Sequence, residues 1–442
     1  MPHAQTAPLL LAIRRAVPAA VLTINQVLGD AGYRCWLVGG CVRDLLRTTE
    51  EERHTPQDWD LATDATPEQV QGLFRKVIPT GVTHGTVTVV LSKNTYELTT
   101  LRGERGYSDG RHPDEVFFVT DIARDLARRD FTVNAIAYDL SQGELIDPFD
   151  GRGDLERGVL RAVGDPQKRF EEDGLRVMRC ARFASTLELD VEPDTQRAMR
   201  PALASFRKVA VERIREEWFK ALSSKRPSRA LRLMQSEGLM EIISQPLAHA
   251  LSNTNLKETA CDVLDSAAPD PLRRLALLCC LTGGSLTPWE LSSKLASHLK
   301  LSGEQTRRLS TLTRSYPPPR VSADFSQTPL QQELGQRRWL RTVGRESAED
   351  VLTLCSELPG EPSADAALRN WVQRELSSDF PLSLKELRIT GGELLAELAA
   401  PPGPWVGAVL EWLMERTLED PAQNERSRLI ELARAAPGLP SH

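Results

Sequence analysis

Asp58 and Asp60 flank a single tryptophan, Trp59, downstream of the run Leu37-Val38-Gly39-Gly40-Cys41-Val42-Arg43-Asp44. On a strand, the period of two puts both carboxylates on one face and turns Trp59 toward the core. Parallel carboxylates repel, and a divalent cation is the usual compensation; hard oxygen donors near phosphate favour Mg2+. A glycine pair at the end of a strand lets backbone N–H groups approach an anion without obstruction by Cβ, and the following helix start, with Arg43 in reach, completes a phosphate cradle. Taken singly, the same residues read as a tight strand-to-helix turn and a solvated acidic pair. Glu97, in Tyr96-Glu97-Leu98-Thr99-Thr100, either supplies a third carboxylate from a neighbouring strand or is simply exposed. Together the parts fit two-metal phosphoryl transfer, with Asp58, Asp60 and Glu97 as catalytic carboxylates and Asp58 and Asp60 as metal ligands.

Two further clusters carry charge at regular spacing. Arg128-Arg129-Asp130-Phe131-Thr132-Val133-Asn134-Ala135 reads by itself as a charged turn ahead of a strand or helix. Arg169-Phe170-Glu171-Glu172-Asp173-Gly174-Leu175-Arg176 continues to Arg179 and Arg182. Asp173, Arg176, Arg179 and Arg182 thus recur every three residues, a slowly drifting stripe of one helix whose plain reading is an exposed, ion-paired face. Between Thr195 and Gln235 eleven Lys or Arg stand against three Glu. Side chains there, including Arg213, Lys220, Lys225, Arg226 and Arg229, either follow an RNA backbone or form a solvated basic face.

The elements that must position these groups follow from patterning. The first twenty-odd residues read as an amphipathic helix. After Gly32 come short runs rich in β-branched and aromatic residues, over 35–38, 87–91, 96–100 and 116–119, with a helix over 67–76 that has Thr66 as N-cap and Pro at its first position. Residues from about 30 to 150 therefore form an α/β unit. Beyond Asp154 the strand signal nearly vanishes and apolar residues recur at helical spacing, as in Leu175, Met178, Ala181 and Phe183. Loops interrupt that helical part at 316–319 and 358–362.

With 442 residues, 40% hydrophobic and 26% charged, the composition is that of a multidomain globular protein. Its longest apolar stretches fall short of the roughly 18 residues that cross a bilayer, and no signal-peptide pattern opens the sequence, so a cytoplasmic location without membrane association is expected. Seven cysteines without a C-x-x-C pair argue against a disulfide framework or structural zinc and read as buried thiols. The net charge of −6 speaks against a nucleic-acid partner only on average, because the basic segment leaves the remainder strongly acidic.

Taken together, these clusters closely resemble the class II tRNA nucleotidyltransferases, the family of CCA-adding enzymes and bacterial poly(A) polymerases within the polymerase β superfamily. The resemblance covers most of the chain. It implies an α+β fold, with a polymerase-β-like nucleotidyltransferase head on a mixed or antiparallel sheet and an all-helical neck, body and tail. The implied domains are an N-terminal helix over 1–25, the catalytic head over 26–150, the neck over 151–245, the body over 246–384 and the tail over 385–442. In this family Gly39, Gly40, Arg43, Arg128, Arg129, Asp130 and Asn134 would bind the nucleotide, and residues 147–151 would be a hinge-like element between head and neck. Asp173 and Arg176 would read the Watson–Crick edge of the incoming base, with Arg179 and Arg182 further along the site. The resemblance thus implies that protein, not nucleic acid, is the template, in keeping with Asp accepting from the exocyclic amine common to C and A while Arg donates to ring or carbonyl acceptors. Residues 211–217 resemble a helix supporting the template helix, and the glycine-rich turns at 389–395 and 402–407 resemble the tail. The implied cofactor is Mg2+, and the implied partners are CTP, ATP and the 3′ end of tRNA.

Within that family, Gly81-Val82-Thr83-His84-Gly85-Thr86-Val87 is similar to tRNA-directed members, and residues 101–113 resemble the flexible loop that accompanies the switch from C to A addition. CCA addition is the expected activity; A addition alone is the alternative, then poly(A) addition, and a non-catalytic tRNA-binding protein is the reading from a different class. Two departures stand out. Thirteen residues, Glu50-Glu51-Glu52 among them, separate Asp44 from Asp58, longer than the usual spacer, and the region from 244 to about 380 holds no clear motif of the family. No His-Asp dipeptide occurs, which removes the appended metal phosphohydrolase domain of some relatives.

Overall fold

The computed structural model describes residues 6–47, 56, 58–82, 85–105, 115–284, 286–318, 329–360, 362–378, 380–437 and 439. The acidic run 50–52, Thr83-His84 and residues 106–113 of the loop lie outside the described residues. The chain divides into two compact units, Met1–Ile243 and Ser244–His442.

In the first unit the single amphipathic helix expected at the N-terminus is two, α1 (Thr6–Ala16) and α2 (Ala19–Asp30), because Pro18 is extended and has no N–H to continue the ladder. There follow β1 (Cys35–Val38), α3 (Gly40–Leu46), β2 (Leu61–Thr63), α4 (Pro67–Leu73), β3 (Val77–Gly81), β4 (Thr86–Leu91) and β5 (Asn94–Thr100). Then come the paired β6 (Arg102–Arg105) and β7 (Glu115–Phe118), α5 (Ile122–Ala127), a 3-10 turn at Thr132–Asn134, β8 (Ala137–Asp139) and β9 (Glu144–Ile146). Seven strands make one mixed sheet in the order β3-β4-β5-β2-β1-β8-β9, with β2 and β5 parallel and the other neighbours antiparallel. Thr66 caps α4 through a capping box with Gln69, but the helix stops at Leu73, short of the expected Lys76, where Phe74 turns extended.

All four residues of β1 are buried because the sheet is covered on both faces. Cys35 and Leu37 enter a core with Ile24, Leu28, Val42 and Val70, while Trp36 and Val38 enter a second core with Ala62, Leu126 and Ala137. β2 begins only at Leu61, so Asp58 and Asp60 lie on its lead-in and not within a strand; Asp58 is exposed and Asp60 half-buried. The Val38 N–H still donates to Asp60 O (3.1 Å), which extends the pairing with β1 and pins Asp60 beside the glycine turn.

Past residue 150 the helices are α6 (Gly151–Arg157), α7 (Pro166–Glu172), α8 (Leu175–Thr186), α9 (Pro193–Met199), α10 (Leu203–Phe206), α11 (Val211–Leu222), α12 (Pro227–Ser236) and α13 (Leu239–Ile243). They are accompanied by one parallel pair, β10 (Val159–Leu160) with β11 (Asp190–Val191), too short to leave a periodic signal in the sequence. α8 packs against α11 and α12. Its Phe183 meets Phe131 edge-on with ring centroids 5.7 Å apart, and Phe131 also meets Phe170 of α7 at 6.4 Å. Aromatic contacts therefore lock the helical part onto the segment that carries Arg128 to Asn134.

The second unit is helical, with eleven α-helices among its described residues from Gln245–Ala250 to Arg426–Arg434. Arg308 reaches Asp270 (2.6 Å) and Asp350 (2.7 Å), and Arg273 reaches Asp350 (3.2 Å) and Glu357 (3.0 Å), one charge network joining several helices. Among the described residues no helix is long and apolar enough to cross a membrane, and all seven cysteines are buried free thiols.

Candidate active site

Gly39 closes β1 at φ +73°, a left-handed conformation natural to glycine, and a Cβ there would stand 2.7 Å from Nη1 of Arg129. The turn is fitted around that guanidinium. Arg43 of α3 is buried; its Nη1 donates to Asn134 Oδ1 (2.6 Å) and its Nε to Asp44 Oδ1 (2.9 Å). Asn134 in turn donates to Asp130 Oδ1 (3.0 Å), and Asp130 Oδ2 accepts from Arg179 Nε (2.8 Å) and pairs with its Nη2 (2.6 Å). One relay thus runs from α3 through the 3-10 turn to α8. Burial alone would raise the Asp130 carboxyl, but Arg179, Asn134 and Arg176 outweigh it and hold the group well below the usual carboxylate range.

Asp125, 1% exposed, holds the next two arginines: Arg128 Nη2 lies 2.8 Å from Oδ1 and Arg129 Nη2 3.3 Å from Oδ2. Burial opposes its charge, yet the two guanidinium groups lower its pKa. The carboxylates of Asp58 and Asp60 contrast with this, having no hydrogen-bond or ion-pair partner among the described residues. Burial raises the Asp60 carboxyl first, the Asp58 charge adds to that, and Arg129 and Arg43 pull the other way. Two mutually repelling oxygen donors without partners are the donor set that a hard divalent cation relieves.

Asp173 does not share a helix with Arg176, Arg179 and Arg182, as the three-residue stripe requires. α7 ends at Glu172, Asp173 is extended (φ −142°, ψ 107°), and its Oδ1 accepts from the Leu175 N–H (2.9 Å) at the start of α8. Gly174, next in the chain, lets it pass close to the 205–206 backbone, because a Cβ there would lie 2.4 Å from the carbonyl of Ser205 and 2.5 Å from Phe206 N. Asp173 Oδ2 faces Arg213 Nη2 of α11 at 3.2 Å. Arg176 is held from three sides: Nη1 donates to Glu172 Oε2 (2.6 Å) and Arg169 O (2.9 Å), and Nη2 to Arg128 O (3.0 Å). Arg182 pairs with Glu217 (2.7 Å); burial and the charge of Arg179 push its pKa down to about 10, which leaves it cationic at neutral pH. The Phe183 ring gathers three guanidinium groups, with Cζ of Arg182 at 3.8 Å, of Arg179 at 5.1 Å and of Arg43 at 5.5 Å from its centroid.

Two cavities adjoin here. The first, about 440 Å3, brings together Gly39, Gly40, Arg43 and Asp60 with Arg128, Arg129, Asp130 and Asn134, and these with Asp173, Arg176, Arg179, Arg182, Phe183 and Arg213. The second, about 770 Å3, shares Gly40, Arg43, Asp60, Arg182 and Phe183 and adds Asp58, Arg47, Phe219 and Lys220. Glu97 lines neither; it is exposed on β5, in register beside Asp60. Among the described residues no three Asp, Glu, His or Cys groups gather as a metal-holding set. Lys225, Arg226 and Arg229 also line neither cavity, and Arg229 donates to Ala184 O (2.9 Å) and pairs with Asp190. Arg213 faces the first cavity and Asp173 instead of an outer basic face.

Sequence reasoning misses Asp125, Glu217 and the second role of Phe183. Asp125 was legible as the i,i+3 and i,i+4 partner of Arg128 and Arg129 on a helix. Glu217, within the supporting helix over 211–217, has a local i,i+3 partner in Lys220 (3.7 Å), but its pairing with Arg179 and Arg182 has no local signal because they come from another helix.

Three family models match in chain order: the poly A polymerase head domain over residues 35–161, the RNA and SrmB binding site of polymerase A over 188–251, and tRNA nucleotidyltransferase domain 2 over 274–433. The CCA-adding enzyme of Lactobacillus helveticus is 49% identical over 45% of this chain, a match that spans about half, 48%, of that relative. The CCA-adding enzyme of Levilactobacillus brevis is 33% identical over 92% of this chain and 95% of its own length. The crystal structure of the Bacillus stearothermophilus CCA-adding enzyme in complex with CTP shares this fold with a TM-score of 0.73 at 30% identity, covering 94% of this chain and 96% of that one. The mixed-sheet head, the helical remainder and a whole-length relative agree, and the chain belongs to the CCA-adding enzyme family of tRNA nucleotidyltransferases.

Proposed function

We propose that this chain completes the 3′ end of tRNA, adding C, C and then A from CTP and ATP with release of pyrophosphate and without a nucleic-acid template. The observation that carries the reading is the first cavity, where the Gly39-Gly40 turn, Asp60 and the arginines of 128–129 share one space with Asp173 and Arg176. Phosphate grip, carboxylate and base-reading pair meet there. The whole-length relative named as a CCA-adding enzyme, and the neighbouring structure solved with CTP, support the same substrates.

Asp58 and Asp60 would hold Mg2+, and the fit rests on two carboxylates without hydrogen-bond or ion-pair partners among the described residues, one of them half-buried beside the other's charge. When bound, the metal supplies activation of the acceptor hydroxyl and charge neutralisation on the triphosphate and its leaving group. The remaining work falls to side chains already fixed in place. Arg43, Arg128, Arg129 and Arg179 surround the triphosphate, oriented by Asn134, Asp125 and Asp130, so little reorganisation remains when charge develops. Asp173 accepts from the exocyclic amine that C and A share. Arg176, clamped by Glu172 and two carbonyls, donates to the acceptor on the base edge. A base without that amine leaves Asp173 unpaired, at a cost of roughly 1.5–3 kcal/mol, which disfavours U. Residues 26–150 act as head and 151–245 as neck, with 246–384 and 385–442 as the helical body and tail of a cytoplasmic enzyme.

The test supplies purified protein and Mg2+ with tRNAs ending before CCA, after C and after CC, each nucleotide being offered separately. Two additions of C followed by one of A are expected. Addition of A alone to the CC-ended tRNA would replace this reading with an A-adding enzyme, a long A tail would mark a poly(A) polymerase, and no addition to any tRNA would leave a binding protein.

A further inference from the structure

We infer that Asp154 is a positioning residue for the triphosphate grip, acting through the hydroxyl of Thr132 on the turn that carries Asn134. The inference deepens the proposed function and rests on Arg43 and Arg179 meeting the triphosphate there.

Asp154 sits on α6, fully buried, and lines neither cavity, so any effect on the reaction must pass through its partners. A charge withdrawn from water is costly unless it is paired and hydrogen-bonded. Oδ1 accepts from Arg157 Nη2 (2.8 Å), while Oδ2 accepts from Arg161 Nε (3.2 Å) and from the Thr132 hydroxyl (2.7 Å). Arg157 and Arg161 belong to the same stretch of chain as Asp154. Thr132 stands 22 residues earlier, inside the cluster that borders the first cavity.

Thr132 opens the 3-10 turn and is itself buried. Its N–H donates to Arg161 O (2.9 Å), and its carbonyl, which accepts from the Ala135 N–H (2.9 Å), runs so close to α6 that a Cβ on Gly151 would come within 2.1 Å of it. These backbone contacts place the residue, and the charge-assisted bond from its hydroxyl to Asp154 adds the side-chain anchor. Two residues on, Asn134 accepts from Arg43 Nη1 (2.6 Å) and donates to Asp130 Oδ1 (3.0 Å), the carboxylate that pairs with Arg179 (2.6 Å). Arg43 and Arg179 are therefore both steadied from one short turn, and that turn is anchored on Asp154. Cations fixed in advance where charge develops need little reorganisation during reaction. The base-reading pair has other supports, Arg213 for Asp173 and Glu172 for Arg176, so loss of the anchor falls on the grip and not on the choice of base.

The experiment measures single-nucleotide addition by the full-length protein, with CTP on tRNA lacking CCA and with ATP on tRNA ending in CC, and determines KM for nucleotide and for tRNA separately. Asp154→Asn keeps the size of the side chain, and Arg157 and Arg161, 53% and 42% exposed, stay in contact with water. Asp154→Asn and Thr132→Val are each expected to lower kcat/KM for CTP and for ATP about tenfold, with the KM for tRNA and the preference among nucleotides within about twofold of wild type. Thr132→Ser keeps the hydroxyl and should stay within about threefold. The Asp154→Asn/Thr132→Val double variant should also lose only about tenfold, because both changes remove the same bond. A double variant about a hundredfold down, as independent sites would give, Thr132→Val at the wild-type rate, or a rise in the KM for tRNA equal to that for nucleotide would each overturn the assignment. The comparison of Thr132→Val with Thr132→Ser decides the matter even where Asp154→Asn does not fold. Wild-type protein that adds no nucleotide would remove the proposed function itself, so the two failures are distinguishable.

Discussion

Arg213 Nη2 stands 3.2 Å from Asp173 Oδ2, while Oδ1 of the same carboxylate is occupied by the Leu175 N–H. If Asp173 reads the base as proposed, Arg213 restrains the carboxylate and so the direction in which it accepts. Arg213→Gln is expected to lower the preference for CTP and ATP over UTP and GTP by about tenfold, near 1.4 kcal/mol. The ratio of kcat/KM values for the four nucleotides on tRNA ending in CC measures it. An unchanged ratio with a lower melting temperature would reduce Arg213 to a packing role.

Phe183 holds Arg43, Arg179 and Arg182 around one ring, and each cation–π contact is worth about 0.5–2 kcal/mol depending on its desolvation. Leucine keeps most of the volume and loses the quadrupole. Phe183→Leu is expected to cut kcat/KM for both nucleotides about tenfold or more without altering the choice between them, whereas Phe183→Tyr should stay close to wild type. Steady-state kinetics with CTP and ATP decide this, and a change in base preference would contradict it.

Asp58→Ala and Asp60→Ala are each expected to abolish addition. Because burial and the Asp58 charge disfavour ionised Asp60, its removal in metal-free buffer should leave the melting temperature unchanged or raise it. A fall of several degrees would mean that Asp60 is needed for the fold rather than for the metal.

Asp130 gives a pH signature. Its folded pKa lies below the ordinary 3.8, so the stabilisation it provides is present above that value and is lost as pH falls through the folded pKa. Asp130→Asn leaves Arg179 with only its longer contact to Glu217 (3.9 Å) and is expected to cost up to about 3 kcal/mol near pH 7. The gap in melting temperature between the two proteins should be widest near neutrality and narrow below about pH 4. A gap independent of pH would show that the charge of Asp130 does not carry the effect.

Local signals made much of the head legible. β1 and β4 are apolar runs between turns, β5 is rich in β-branched and aromatic residues, and Thr66 announces its helix by capping chemistry. The glycine pair and the 128–134 cluster could be read because each compresses its chemistry into a few consecutive residues. The rest depended on contacts far apart in sequence. The break in the stripe lies at Asp173, extended and bonded to the Leu175 N–H, while Gly174 has ordinary helical angles (φ −58°, ψ −22°) and is required by the distant backbone of Ser205 and Phe206. Arg213 looked like one charge among many in a basic segment, and only the packing of α11 against α8 turns it toward Asp173. Phe183 was read as a core residue, and it is buried, but it also borders both cavities.

The bond from Arg176 to the carbonyl of Arg128 has a consequence for any change of specificity. Arg128 and Arg129 are the proposed grip on the triphosphate, and Arg176 is the proposed reader of the base, so the two tasks hang on one strut. A substitution of Arg176 would also remove a donor from the main-chain carbonyl of Arg128, so a change in the base reader would be felt beside the triphosphate grip. A replacement at 176 that keeps the grip undisturbed would have to satisfy that carbonyl by other means. Choice of letter and hold on the shared phosphates are thus joined through a 3.0 Å hydrogen bond.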